Sequence, residues 1–125
     1  MTAVRAVRGA IQVDRDETEE IMAATSELVA AVIDRNELSA DDIISVLFTV
    51  TPDLASCFPA AAMRALGFAD VPLMCATEIA VPDAMERVVR LLAHVNTERP
   101  PSAVEHVYLR GAAQLRPDLQ PRRIA

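Results

Sequence analysis

The run Ile43-Ile44-Ser45-Val46-Leu47-Phe48-Thr49-Val50 narrows what this chain can fold into more than any other stretch. It is uncharged and rich in β-branched side chains, which suit a pleated surface better than a helix. It is also short enough to be a strand buried within a sheet, and Pro52, which cannot donate to a ladder, ends it. A buried strand needs neighbours in the sheet and cover on its faces, and the rest of the sequence has to supply both.

Val4, Ala6 and Arg8 alternate with Arg5, Val7 and Gly9 on the way to Ile11 and Val13, a period of two that marks a first strand. Asp16 followed by Glu19 reads as an Asx form of the capping box. Ile21, Thr25, Leu28 and Val32 then recur at helical spacing towards Asn36. Ser39 and Asp42 mark the turn into the buried strand. Beyond it, Pro59 in a first-turn position, residues 60–66 and Gly67 as terminator describe a short second helix. Residues 71–75 read as a third strand. Residues 85–96 fit two templates: Met85, Val88, Leu92 and Val95 have helical spacing, which the pattern alone favours slightly, while Val89, Leu91, Ala93 and Val95 alternate against Arg90, Leu92 and His94 as a strand would. Arg99-Pro100-Pro101 forces a turn, Ser102 and Glu105 cap one helical turn, and Val107, Leu109 and Ala112 outline a last strand. The tail from about residue 117 is expected to be mobile.

At 125 residues the chain fits one domain, 1–125, of α/β (α+β) class: a mixed sheet with two main helices on one face. It is 52% apolar, more than a compact monomer of this size needs to cover its core, so association through the uncovered sheet face is the expected outlet. The longest charge-free stretches, 43–52 and 54–63, fall well short of the ~18 apolar residues a bilayer demands, so no membrane partner is expected. Arg5 and Arg8 precede no apolar block or cleavage site before Asp14, which points to a cytoplasmic chain. Cys57 and Cys75 are too few for a disulfide framework, and with His94 and His106 they give no zinc-type spacing, so no metal is implied. The two histidines are expected to be structural or exposed.

A net charge of −6 argues against a nucleic-acid partner. Between Asp14 and Asp42 ten acids meet only Arg15 and Arg35, whereas from Met85 onward seven arginines face four acids. A local cationic pocket on an acidic protein suits a small anion. All twelve basic residues are Arg and none is Lys, a pattern of coding bias, so Arg identity alone carries little weight.

Two distant stretches look like parts of one anion site: Met74-Cys75-Ala76-Thr77-Glu78, and His106-Val107-Tyr108-Leu109 followed by Leu115-Arg116-Pro117-Asp118-Leu119. With Val7-Arg8-Gly9-Ala10, Thr51-Pro52-Asp53-Leu54, Phe58-Pro59-Ala60, Arg64 and Arg90, they resemble the trimeric α/β class of chorismate mutase over residues 7–119. The resemblance makes residues 85–96 a strand and the sheet five-stranded. It also implies a barrel-like homotrimer with sites between subunits, the Arg90 group and the Cys75–Glu78 group coming from different chains. The implied activity is a cofactor-free isomerase of aromatic amino-acid biosynthesis, converting chorismate to prephenate. This is a unimolecular [3,3] rearrangement: an ether C–O bond breaks while a C–C bond forms, with no obligatory nucleophile, acid, base or cofactor.

By the same resemblance Arg90 binds the ether oxygen and a substrate carboxylate. Glu78 accepts a hydrogen bond from the ring hydroxyl and favours the positive character that develops on the carbocycle. Arg8 and Tyr108 anchor carboxylates. Met74, Cys75, Ala76 and Thr77 line the pocket, Cys75 through backbone and side chain and Met74 through its backbone. Phe58, Ala60, Leu73 and Leu115 supply walls, and Arg64 and Arg116 attract the dianion and help close the site. Two positions depart from the family pattern: Ala61, where lysine is common, and Met74, where threonine is common. Two other readings are compatible with an arginine-lined interface: a non-catalytic trimeric sensor of small carboxylates, and an imine deaminase of similar fold, whose chemistry needs a positioned water.

Overall fold

Alternating small and apolar side chains extend Ala3–Gln12 into strand β1, and in the computed structural model, which describes residues 2–119, this strand lies inside the sheet rather than at its edge. Helix α1 (Thr18–Arg35) follows, then strand β2 (Ile43–Val50), helix α2 (Ala60–Ala65) and strands β3 (Leu73–Thr77), β4 (Val88–Thr97) and β5 (Val107–Leu109). The strand order is β3-β2-β4-β1-β5. β4 pairs antiparallel with both β1 and β2, while β2–β3 and β1–β5 are parallel, so the five-stranded sheet is mixed. Among the described residues no helix is long and apolar enough to cross a membrane.

One face of the sheet carries the core. Val7 and Ile11 of β1, Val46 and Phe48 of β2, and Val89, Leu91, Ala93 and Val95 of β4 are buried against Ile21, Leu28, Val29 and Val32 of α1 and Met63 of α2. Burial at every second residue of 89–95 settles the ambiguity of that segment. Its helical spacing gives way to pairing with β1 over ten consecutive positions, from Ala3↔Thr97 to Gln12↔Val88. Asp83 at φ 65° and Arg87 at φ 53° break the chain just before it.

Four local expectations are corrected. Asp16 does not cap α1, whose N-cap is Glu17 with no side-chain bond. Its carboxylate instead accepts the backbone N–H groups of Ala55 and Ser56, each at 3.0 Å, stapling the loop after β2. β3 begins at Leu73 rather than at residue 71, because Pro72 has no N–H to give and serves only as the acceptor for Val46 N–H at 3.0 Å. Ser102 and Glu105 form no cap pair: the turn is Pro101–Ala103, and Glu105 N–H donates to Asn36 Oδ1 at 2.8 Å. Ala112 is outside the last strand, since Arg110 at φ 54° turns the chain into a 3-10 segment, Arg110–Leu115. A further 3-10 turn covers Pro117–Leu119, and the rest of the tail lies outside the described residues.

Candidate active site

Strand register lays Tyr108, Ala10, Arg90, Thr49 and Ala76 in one row across all five strands. Their neighbours Ile11, Val89, Phe48 and Cys75 face the helices, so side-chain alternation puts this row on the opposite face. One step along, Arg8, Leu92, Leu47 and Met74 make the adjacent row. A face with two arginines and a tyrosine between small or aliphatic side chains is a shelf for an anion.

Glu78 joins the row from just beyond β3. Its N–H donates to Val50 O at 2.8 Å, extending the parallel ladder by one residue, and its carboxylate turns towards β4. Arg90 Nε donates to both carboxylate oxygens at 3.1 Å, and Thr49 Oγ1 donates to Oε2 at 2.8 Å. The Arg90 side chain is 38% exposed and that of Glu78 20%, so the pair is half-sheltered. Among the described residues the terminal nitrogens of Arg90 have no partner, so the end of its donor fork is free for a ligand. Two depressions meet at Arg90. One of about 280 Å³ is lined by Arg8, Leu47, Thr49, Leu92 and Tyr108, and one of about 480 Å³ by Asp53, Glu78, Met85 and Glu86. Charge decides between them: the larger is acidic, and only the smaller offers a dianion two guanidinium groups and a phenol.

Tyr108 is buried at 7% exposure in a small cluster with Ala10, Val88 and Ala112, against which Met85 and Leu115 pack. Arg116 follows, with Nε and Nη2 on the two oxygens of Asp118 at 3.1 and 2.9 Å. His106 stands where β5 begins. Its Nδ1 accepts the backbone N–H of Arg8 at 2.9 Å, continuing the β1–β5 pairing through a side chain and fixing the backbone that carries Arg8. Burial, with the nearby charges of Arg8 and Arg116, holds His106 below the usual imidazole range, so it is neutral and able to accept that bond.

The remaining candidates lie elsewhere. Ala60 is in the core under α2, and Leu73 and Cys75 are half-buried against that core on the helix side. Within one chain Cys75 faces the helices, on the opposite side of the sheet from Arg90, because odd positions of β3 point to the core. Phe58 and Arg64 are exposed near α2, and Met74, Ala76 and Thr77 are exposed on edge strand β3. The division of Arg90 and Glu78 between subunits is corrected, because β2 brings both to Thr49 within one chain. Sequence reading missed Thr49; His106, expected to be structural or exposed, has a structural role. Thr49 had one legible signal, a hydroxyl on the non-core side of an otherwise apolar strand, but its partner appears only with the register. His106 adjoins Tyr108, yet nothing in the spacing showed its bond to Arg8.

The sequence model of the family described as chorismate mutase type I matches residues 4–119. The chain is 48% identical to chorismate mutase AroH of Thermus thermophilus over 118 residues, covering 94% of this chain and 97% of that protein. It is 38% identical to chorismate mutase AroH of Bacillus subtilis strain 168 over 117 residues, covering 93% and 92%. Among solved structures, a chorismate mutase from Clostridium thermocellum matches with a TM-score of 0.87 and 44% identity, over 88% of this chain and 98% of that one.

Proposed function

The chain belongs to the type I chorismate mutases, and from that premise we propose that it rearranges chorismate to prephenate on the open sheet face, with Arg90 as the principal catalytic residue. The activity is an isomerisation in aromatic amino-acid biosynthesis. Its barrier falls in two ways: by holding the enolpyruvyl arm over the ring in the reactive conformer, and by placing fixed positive charge against the ether oxygen as the C–O bond lengthens. An arginine fork is charged at every relevant pH and suits the second task.

The observation that carries this reading is the double role of the Arg90 guanidinium. Its Nε is taken by both oxygens of Glu78 at 3.1 Å, which orients the plane and leaves the terminal nitrogens without a partner among the described residues, beside the depression that Arg90 lines with Arg8 and Tyr108. Arg8 and the Tyr108 hydroxyl hold substrate carboxylates there. Glu78 accepts the ring hydroxyl and stabilises positive character on the carbocycle, an electrostatic rather than a basic role. Leu115 closes the Tyr108 side.

A neighbouring subunit completes the site in this reading. Phe58, Arg64, Leu73 and Cys75 form a second group that one chain does not bring to Arg90, with Met74 at the sheet edge beside it. Phe58 at 71% and Met74 at 69% exposure, with Ile79 at 87%, leave apolar surface uncovered. Three copies packed with their open faces inward would cover that surface and set the second group of one chain beside the Arg90 of the next. The two cysteines are free thiols, which fits a reducing cytoplasm.

The test is turnover. Purified protein mixed with chorismate should deplete its absorbance and yield a product that acid converts to phenylpyruvate. Arg90→Ala should lower kcat by at least roughly 10²–10³-fold with the oligomer intact. Binding of chorismate without turnover would favour a carboxylate sensor, and near-normal kcat in Arg90→Ala would remove Arg90 from its role.

A further inference from the structure

We propose that Thr49 is a positioning residue for this reaction, its hydroxyl setting the carboxylate of Glu78 and, through it, the plane of Arg90. The inference rests on the chorismate mutase reading above and adds a residue to it.

Glu78 lies past the end of an edge strand, and the ladder fixes only its backbone, through N–H to Val50 O at 2.8 Å. Three side-chain torsions separate that backbone from the carboxylate, and four separate Arg90 Cα from its guanidinium. Two long side chains that touch only each other can swing together, so their 3.1 Å contacts do not locate the pair. A fixed point has to come from something short and stiff. Thr49 is β-branched, with few χ1 choices, and sits on β2 between the strands that carry the two partners. Its register neighbours are Arg90 on one side and Ala76 on the other. Its 2.8 Å bond to Glu78 Oε2 is shorter than either Arg90 contact.

The bond also makes the two carboxylate oxygens different. Oε2 accepts from both Thr49 and Arg90, whereas Oε1 accepts from Arg90 alone among the described residues. Oε1 is thus the oxygen with capacity left for a substrate hydroxyl. Without Thr49 the carboxylate can rotate, Arg90 Nε follows, and the terminal nitrogens lose their aim at the ether oxygen. Binding of the dianion, which draws on charge more than on angle, depends less on that aim.

The experiment measures kcat and KM for chorismate with Thr49→Val and Thr49→Ser, each in the native and the Glu78→Ala background. Valine keeps the shape and the strand preference, so folding is preserved. Thr49→Val should lower kcat about tenfold, the size of one hydrogen bond to a charged group, with KM changed less than about threefold. Thr49→Ser should keep kcat within about threefold of native, and in Glu78→Ala the valine substitution should have no further effect. Near-normal kcat in Thr49→Val overturns the proposal, as does a tenfold loss that persists in Glu78→Ala, or a serine variant as impaired as the valine one. If Arg90→Ala abolishes turnover while Thr49→Val does not, only the positioning role fails. If the native protein does not turn over chorismate, both readings fail.

Discussion

Replacing Gly9 by alanine tests how the helix layer is seated on the strand that carries Arg8. A Cβ at this position would lie 3.1 Å from Leu28 Cδ1, 3.3 Å from Leu91 Cγ and 3.3 Å from Val107 O. Leu28 and Leu91 are core residues, and Val107 is paired with Gly9 in the β1–β5 ladder, so each neighbour would have to yield by a few tenths of an ångström. Overpacking of this kind costs about 1–3 kcal/mol. Against it stands about 0.4–1 kcal/mol from the smaller conformational freedom of alanine in the unfolded chain. The expected net loss is about 1 kcal/mol, or roughly a 0.5 M drop in the urea midpoint for a domain of this size. Leu28→Ala removes the nearest of the three atoms while Leu91 Cγ and Val107 O stay, so in that background the Gly9→Ala loss should shrink but not vanish, a coupling a double-mutant cycle reads directly. An unchanged midpoint for Gly9→Ala, or an equal loss in both backgrounds, would refute the claim that Gly9 is required for the close approach of α1.

Two further outcomes are expected. Thr25 is fully buried in α1 with no hydrogen-bond partner for its hydroxyl among the described residues, so Thr25→Val should raise stability by about 1 kcal/mol, read as a higher urea midpoint. For His106 the folded state lowers the pKa, so the unfolded chain takes up the proton first and stability falls as the pH drops below about 6.5. Protonation removes the acceptor for Arg8 N–H and sets a new cation beside Arg8 and Arg116; urea midpoints at pH 7.5 and 5.5 should differ more in the native protein than in His106→Asn.

Elements whose signals are local were legible in the sequence. β2 lies at Ile43–Val50 as its β-branched run requires, and α2 is framed by Pro59 and by Gly67 at φ 100°. Where a polar side chain had several possible partners, the pattern misled. Asp16 had a local helix end and a distant loop to choose between, and two backbone donors at Ala55 and Ser56 outweighed one cap. The β4 segment carried both periods at once, and only pairing with β1 and β2 decides such a case. Site residues were visible as types but not as groups. Glu78 and Cys75 are three apart in sequence, yet strand alternation sends them to opposite faces of the sheet.

Charge makes a second subunit a requirement of the proposed mechanism rather than an ornament of it. Within one chain the shelf holds Arg8 and Arg90 against Glu78, a formal sum of +1 facing a substrate with two carboxylates. Arg116 adds little, since both oxygens of Asp118 engage it. Arg64 is the candidate cation left: it is exposed on α2 with no acid partner among the described residues, on the far side of the sheet from Arg90. Supplied by a neighbouring chain, it would bring the sum to +2, matching the dianion. The Arg90–Glu78 pair then has a clear logic. On that proposal Glu78 would spend part of the local positive potential to hold one guanidinium in a fixed plane and sharpen the field at the ether oxygen, and a neighbour's arginine would restore the attraction that binding needs.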